Sequence, residues 1–192
     1  GFEFVSYEID PALSEGANIW IKKNLSNKSR VIDSDFLMSS DKEEFLWDVA
    51  IANPPYIRQE WIENKTNYQR IAKDLYGVDI PGTSNLYVYF IVKIIKGLSD
   101  GGVFAIIVYD SWMHTRYGQW LVNFMNDNCT QINSTSVRDT PFDGHLIDAT
   151  IITGKRAYKP DSRGSSFSIA RRGIHSDLDG FVKLESEYWT KR

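Results

Sequence analysis

Short strand-like runs alternate along this sequence with segments of helical periodicity. Strands are predicted at Phe2–Ile9, Arg30–Ile32, Asp48–Ala52, Val103–Val108, Ile132–Val137 and Ala149–Thr153. Apolar residues at helical spacing predict helices over Pro11–Asn24, Leu86–Leu98 and Trp112–Met125. Two of the strands, Asp48–Ala52 and Val103–Val108, are apolar on both faces, as burial in a parallel sheet requires. This order of elements predicts an α/β domain around a mostly parallel sheet.

Composition excludes several classes of protein. The chain has 192 residues, of which 42% are hydrophobic, enough for one domain with a substantial core. No apolar run reaches the roughly 18–20 residues that span a membrane, and the first residues do not resemble a secretory signal. Cys129 is the only cysteine, which excludes a disulfide within the chain and a cysteine zinc site and favours a cytoplasmic location. His114, His145 and His175 lack the spacing of metal ligands, so no metal site is predicted.

Charge is distributed unevenly along the chain. The first 150 residues carry 13 Lys and Arg against 20 Asp and Glu, whereas the last 42 carry 9 against 5. A basic segment of this kind can contact nucleic-acid phosphate or can be a solvated surface, and charge alone favours neither. The candidates for contact with a DNA backbone are Lys155, Arg156, Arg171 and Arg172.

The chemistry is concentrated in Asn53-Pro54-Pro55-Tyr56, directly after the predicted strand Asp48–Ala52. Ligands of open α/β sheets bind beyond the carboxyl ends of the strands. Two prolines hold this turn rigid, so the Asn53 side chain and the Pro54 carbonyl offer two fixed acceptors for one planar NH2 group. Tyr56 adds an aromatic face beside them. A proline-rich turn that merely ends a strand is the alternative interpretation.

These residues carry a resemblance to a known family. The segment DVAIANPPYIRQE resembles the catalytic motif of amino-group methyltransferases that use S-adenosylmethionine, and more narrowly that of N6-adenine DNA methyltransferases of restriction–modification systems. The likeness extends over about residues 3–155. It implies a Rossmann-like class I methyltransferase sheet, mostly parallel with an antiparallel C-terminal strand. It also implies S-adenosylmethionine as cofactor, DNA as partner, and catalytic roles for Asn53, Pro54, Pro55 and Tyr56.

The resemblance also implies a set of cofactor-binding residues. Glu8 takes the position of the acid that holds the cofactor ribose, and Ile9 that of a residue packing against the cofactor adenine. Asp35 would accept from the adenine amino group, Phe36 would line its ring, and Phe90 falls where the family places an aromatic side chain near the cofactor. Without the resemblance, Glu8 and Asp35 could equally be solvated residues at strand ends.

One aromatic residue distinguishes the possible substrates. In DNA adenine methyltransferases a Phe before the last strands holds the flipped base against the Tyr of the motif, and Phe142 in TPFDGHLIDATIIT matches that spacing. Phe142 could instead be an ordinary core residue. The nearest alternative function is a protein-glutamine N5-methyltransferase, because the same acceptors fit a carboxamide. A methyltransferase-fold fragment without catalytic activity is the third possibility.

The sequence departs from the family pattern in two places. The family's glycine-rich loop and first strand would precede Phe2, so the chain is expected to be a partial catalytic domain at 1–154, inactive alone. An upstream segment of the same protein or a partner chain would supply the missing strand. Residues 155–192 are interpreted as a basic linker or the start of a target-recognition region, and 57–84 as a surface helix with a loop or a flap over the site. Tyr109-Asp110 stands where the family commonly has Val-Pro.

Overall fold

The computed structural model describes residues 3–25, 28–39, 46–138, 149–158 and 168–173. The strands are β1 Val5–Glu8, β2 Arg30–Asp33, β3 Trp47–Ala52, β4 Leu98–Tyr109, β5 Cys129–Arg138, β6 Ala149–Arg156 and β7 Ser168–Gly173. The helices are α1 Pro11–Asn24, α2 Lys65–Tyr76, α3 Leu86–Gly97 and α4 Arg116–Asn128, with short 3-10 turns at Gln59–Trp61 and Asp110–His114. None of the described helices has the length and apolar character needed to cross a membrane.

The described strands form two sheets. Strands β1 and β2 make a parallel pair, and the other five follow the order β3-β4-β6-β5-β7. Strand β3 is parallel to β4 and β7 is parallel to β5, whereas β6 runs antiparallel to both of its neighbours. The prediction of an α/β fold on a mostly parallel sheet, with an antiparallel strand near the C-terminus, is confirmed.

Local sequence explains where two of the helices begin. Pro11 stands in the first turn of α1, and the Asp10 carboxylate accepts from the backbone N–H groups of Ala12 at 2.8 Å and Leu13 at 3.1 Å. Thr115 caps α4 in the same way, because its hydroxyl accepts from the Gly118 N–H at 3.0 Å. The predicted helix over Trp112–Met125 is therefore wrong at its start, since Trp112 belongs to the preceding 3-10 turn.

The core lies where α3 and α4 pack on the five-stranded sheet. Its largest fully buried side chains are Trp112, Tyr87, Ile91, Ile95, Leu98, Ile106, Leu121, Met125, Ile132 and Ile152. Burying an aliphatic or aromatic side chain of this size contributes about 1.5–3 kcal/mol each. This core holds β4 in place. Because β3 pairs with β4, the core also positions the end of β3, where the Asn53-Pro54-Pro55-Tyr56 turn begins.

Strand β3 is not buried on both faces as predicted. Val49 is 61% exposed and Ile51 83% exposed. The physical reason is that Val49 and Ile51 share one face of β3, which the described elements leave largely exposed, whereas Ala50 and Ala52 on the other face are partly buried.

The segment predicted as a linker contributes to the sheet. Strand β6 continues through Arg156, and β7 adds a strand beside β5.

Candidate active site

The Asn53-Pro54-Pro55-Tyr56 turn lies at the carboxyl edge of the five-stranded sheet. Ala52, the last residue of β3, pairs with Ile106 of β4, so the turn stands beside the end of β4. Asn53 is exposed and Pro54 is buried. The Tyr56 hydroxyl donates to Oδ1 of Asn53 at 2.8 Å and to the Ile107 carbonyl at 3.2 Å. The amide oxygen of Asn53 therefore already accepts from a donor of this chain.

Tyr109 is a site residue whose contact the sequence did not predict. Its ring stacks on the ring of Tyr56, with centroids 3.9 Å apart and planes 29° from parallel. Burial, and to a smaller degree the electrostatic interaction with Tyr109, raise the pKa of Tyr56, which keeps its hydroxyl protonated as a donor. The pairing of Ala52 with Ile106 brings Tyr109 next to Tyr56. The sequence shows that Tyr109-Asp110 replaces the family's usual Val-Pro, but it does not show the strand register that creates this contact.

Asp110, the second residue of that departure, has a structural role. Its carboxylate accepts from the hydroxyls of Ser136 at 3.0 Å and Thr150 at 2.6 Å. These hydrogen bonds fasten the end of β4 to β5 and β6, since Ser136 lies in β5 and Thr150 in β6. Because Tyr109 directly precedes Asp110, these hydrogen bonds also help to hold the Tyr109 backbone in place beside Tyr56.

Two of the predicted cofactor residues, Glu8 and Asp35, lie at or just beyond the carboxyl edge of the small sheet. Glu8 ends β1 and pairs with Asp33 of β2, so the turn that carries Asp35 follows at the same edge. One carboxylate oxygen of Glu8, Oε1, accepts from the backbone N–H of Asp10 at 3.0 Å. Ile9, which lies between Glu8 and Asp10 in the sequence, is 68% exposed. An acid and an apolar surface are thus adjacent, which fits a ribose beside a heterocyclic ring.

Both carboxylate oxygens of Asp35 accept hydrogen bonds from this chain. Oδ1 of Asp35 accepts from the Leu37 N–H at 2.8 Å, and Oδ2 accepts from the Tyr68 hydroxyl at 2.7 Å. Tyr68 belongs to α2, in the segment that sequence reasoning interpreted as a surface helix or a flap. Tyr68 was not predicted as a site residue, because nothing in the local sequence indicates a contact with a residue 33 positions earlier.

Phe36 and Phe90 are brought together in an aromatic cluster. The Phe36 ring stacks on Phe90 at 5.4 Å and also contacts Tyr7 at 5.1 Å and Trp47 at 5.8 Å, measured between centroids. Phe90 lies on α3, so the cluster joins the Asp35 turn to the main core.

The four basic candidates for DNA contact do not share one edge of the sheet. Tyr109 pairs with Ala149 at one end of β6, whereas Lys155 pairs with Val103 at the other. Lys155 lies six positions after Ala149 in the strand, about 20 Å away at the usual rise per residue. Arg171 and Arg172 lie in β7 opposite Ser136 and Val137, at the same end as Tyr109. Their side chains and the whole of Phe142 lie outside the described residues.

The prediction that Arg156 contacts DNA is wrong. Its side chain is 6% exposed, and Nη1 donates to the backbone carbonyl of Asn128 at 2.8 Å and to its Oδ1 at 3.0 Å. Lys96 also donates to that Oδ1 at 2.8 Å, and burial together with nearby Arg156 lowers the pKa of Lys96. Because Asn128 ends α4, both cations lie at the negative end of the helix dipole. Arg156 therefore secures a helix end.

Comparison with known proteins gives both a family and a fold. The family model of the Eco57I restriction-modification methylase matches residues 6–140. The chain is 33% identical to the type II methyltransferase M.BstVI of Geobacillus stearothermophilus over 102 residues, which are 51% of this chain and 17% of that protein. It is 31% identical to the release factor glutamine methyltransferase of Clostridium botulinum over 113 residues, 56% of this chain and 39% of that protein. The chain thus matches well under half of the length of either relative.

Solved structures share the fold at low identity. A type I restriction–modification methyltransferase subunit from Streptococcus thermophilus has a TM-score of 0.70 at 12% identity, covering 98% of this chain and 46% of that one. A protein described as a class I S-adenosylmethionine-dependent methyltransferase from Listeria monocytogenes has a TM-score of 0.66 at 18% identity, covering 87% and 48%. The predicted Rossmann-like class I methyltransferase fold is confirmed, and the chain belongs to the Eco57I restriction-modification methylase family.

Proposed function

We propose that this chain is the catalytic segment of a restriction–modification DNA methyltransferase that transfers a methyl group from S-adenosylmethionine to N6 of a flipped adenine. The observation that carries the proposal is the Asn53-Pro54-Pro55-Tyr56 turn at the carboxyl edge of the sheet, with Tyr56 stacked on Tyr109. A ligand of an open α/β sheet binds at this edge. An adenine buried in a duplex must leave the base stack to reach it.

Two acceptors of the turn would activate the amine. Oδ1 of Asn53 and the Pro54 carbonyl would each accept one N6 hydrogen, which localises the nitrogen lone pair and directs it at the methyl group. In the described conformation the Tyr56 hydroxyl donates to Oδ1 of Asn53. It has a second acceptor in the Ile107 carbonyl at 3.2 Å. Tyr56 therefore keeps a hydrogen bond when an amine takes its place on Asn53.

Aromatic rings would hold the extruded base. Tyr109 covers one face of the Tyr56 ring, and the base would stack on the other. Phe142 is proposed to cover the opposite face of the base. Stacking of this kind holds a base with little sequence preference.

The acids at the small sheet fit an adenosine group. The Glu8 carboxylate would accept from ribose hydroxyls beside exposed Ile9. Asp35 would accept from the adenine amino group, and Phe36 with Phe90 would support the ring from the core side. S-adenosylmethionine, when bound, supplies the methyl group.

A further parallel strand is proposed to complete the sheet, from an upstream segment of the same protein or from a partner chain. Among the described strands, β1 pairs only with β2 and β3 only with β4, which leaves an unpaired edge on each. Apolar side chains of β3 and of α1, the helix that follows β1, are also exposed: Ile51 at 83%, Leu13 at 62% and Trp20 at 59%. Unpaired backbone groups and exposed apolar surface both favour an additional strand with its own apolar side chains.

Hydrogen exchange tests the added strand. In the full-length protein, the amides of β1 and β3 are expected to exchange roughly tenfold or more slowly than in the 192-residue chain, because pairing protects them. Strand β6, which has a partner on each side, is the internal control and is expected to exchange equally in both. Equal exchange in β1 and β3 would contradict the proposal.

A second candidate is methylation of a protein glutamine. It is favoured by the 31% identity to the release factor glutamine methyltransferase and by the fit of the two acceptors to a carboxamide. A transfer assay with methyl-labelled S-adenosylmethionine separates the candidates, using the full-length protein with duplex DNA and with glutamine peptides. N6-methyladenine in the DNA is the expected product. Label on a peptide glutamine would support the second candidate, and neither transfer nor calorimetric cofactor binding would indicate a non-catalytic fold.

Contact with the DNA backbone is proposed for Arg171 and Arg172, which lie at the Tyr109 end of the sheet. Replacing both by Gln is expected to reduce the salt dependence of DNA binding by about one slope unit per lost contact, two in total. Lys155→Gln is the matched control, because Lys155 lies at the opposite end and is expected to leave the slope unchanged. The measurement is the slope of log affinity against log salt concentration. An equal change for Lys155→Gln, or none for the Arg pair, would contradict this assignment.

A further inference from the structure

A hydrogen bond joins helix α2 to the turn that carries Asp35. The Tyr68 hydroxyl lies 2.7 Å from Oδ2 of Asp35, and the Leu37 N–H lies 2.8 Å from Oδ1. Each carboxylate oxygen therefore has one protein donor and keeps a lone pair for another. The site is ready to accept from one more N–H group.

Tyr68 is the donor in this pair. Burial, followed by its hydrogen bond to Asp35, raises the pKa of Tyr68 to about 12. The hydroxyl therefore keeps its proton at neutral pH and donates a hydrogen bond to the Asp35 carboxylate. A charge-assisted hydrogen bond of this kind holds the orientation of the acceptor more firmly than a neutral one.

The backbone of the same turn is fastened from a second helix. Lys93 of α3 is 3% exposed, and its ammonium donates to the carbonyls of Phe36 and Ser39, the latter at 2.7 Å. The same ammonium lies 4.6 Å from the centroid of the Phe36 ring. Lys93 thus holds the backbone that follows Asp35, while the Leu37 N–H and the Tyr68 hydroxyl each hold one oxygen of its carboxylate.

We propose that Tyr68 is a positioning residue of the cofactor site, whose hydroxyl fixes the Asp35 carboxylate to accept from the 6-amino group of the cofactor's adenine. The inference rests on the proposed function, because it takes Asp35 as that acceptor. It makes α2, which follows the Asn53-Pro54-Pro55-Tyr56 turn in sequence, part of the cofactor site. A fixed carboxylate accepts an amino group and repels a 6-oxo group, so Tyr68 contributes to selection of the cofactor.

The demethylated cofactor and an analogue of it that lacks the 6-amino group test this role in the full-length protein. Calorimetry compares S-adenosylhomocysteine with S-inosylhomocysteine, in which an oxygen replaces the 6-amino group. The wild-type protein is expected to prefer the amino compound. Tyr68→Phe is expected to reduce that preference by roughly two- to tenfold, the usual size of one net hydrogen bond. The loss should come from weaker binding of S-adenosylhomocysteine, with S-inosylhomocysteine unchanged.

Tyr89→Phe is the matched control. The Tyr89 ring lies 6.1 Å from that of Tyr68, and its buried hydroxyl has no hydrogen-bond partner among the described residues. Removing that hydroxyl is expected to change neither affinity. An unchanged preference in Tyr68→Phe, or an equal loss for both compounds, would overturn the positioning role. A wild-type protein that binds both compounds equally, or neither, would show instead that the assignment of Asp35 in the proposed function is wrong, and the inference with it.

Discussion

Replacing Asn53 by Ala is expected to lower the single-turnover rate of DNA methylation by roughly 10²–10³ with little change in DNA affinity. The physical reason is that Oδ1 of Asn53 is proposed to accept from the amine as the nitrogen lone pair becomes nucleophilic. Loss of one such preorganised hydrogen bond at a reacting centre typically has this effect. Rapid-quench measurement of methyl transfer, together with a separate DNA-binding titration, gives the two quantities.

Two variants make the Asn53 result specific. Asn53→Asp keeps an acceptor at the same position and is expected to retain more of the rate than Asn53→Ala. Asn123→Ala makes the same truncation on the exposed face of α4 and is expected to leave the rate unchanged. Weaker DNA binding with an unchanged transfer rate in Asn53→Ala would refute the catalytic assignment.

The second large effect is expected at Phe142. If its ring stacks on the extruded adenine, Phe142→Ala removes a contact worth about 1–3 kcal/mol, roughly a 5- to 150-fold loss in trapping of the flipped base. The measurement is the fluorescence rise of 2-aminopurine placed at the target adenine, which reports loss of base stacking. Phe142→Ala is expected to suppress most of this rise.

The control for Phe142 retains an aromatic face. Phe142→Trp is expected to keep most of the fluorescence rise, because any large ring can cover the base. A glutamine substrate has no ring to stack, so the alternative function predicts no fluorescence rise in the wild type and little effect of Phe142 on transfer. Full trapping by Phe142→Ala would remove the main support for an adenine substrate.

Local sequence patterns predicted helices and strands closely where the interactions that define their ends involve residues near each other in the sequence. The bounds of α1 agree with the prediction because Asp10 and Pro11 define its start within the sequence itself. The long apolar run Val103–Val108 lies within β4, which is longer at both ends because it gains pairing from β3 and β6. Strand β7 was not predicted, because its sequence Ser-Ile-Ala-Arg-Arg-Gly has no regular alternation of apolar and polar residues and its strand partner, β5, is distant in the sequence.

Some features of the candidate site could likewise be predicted from local sequence, whereas others depend on contacts between distant parts of the chain. The rigid Asn53-Pro54-Pro55-Tyr56 turn after a strand could be predicted from local sequence, because prolines restrict their own backbone wherever they occur. Only the tertiary structure brought Tyr109 onto Tyr56 and Tyr68 onto Asp35, and only it buried Arg156 against the end of α4. Strand register and helix packing join residues that are 28–53 positions apart in these pairs, and no local pattern encodes such separations. A charge or a ring can be read from the sequence, but its partner depends on how the whole chain packs.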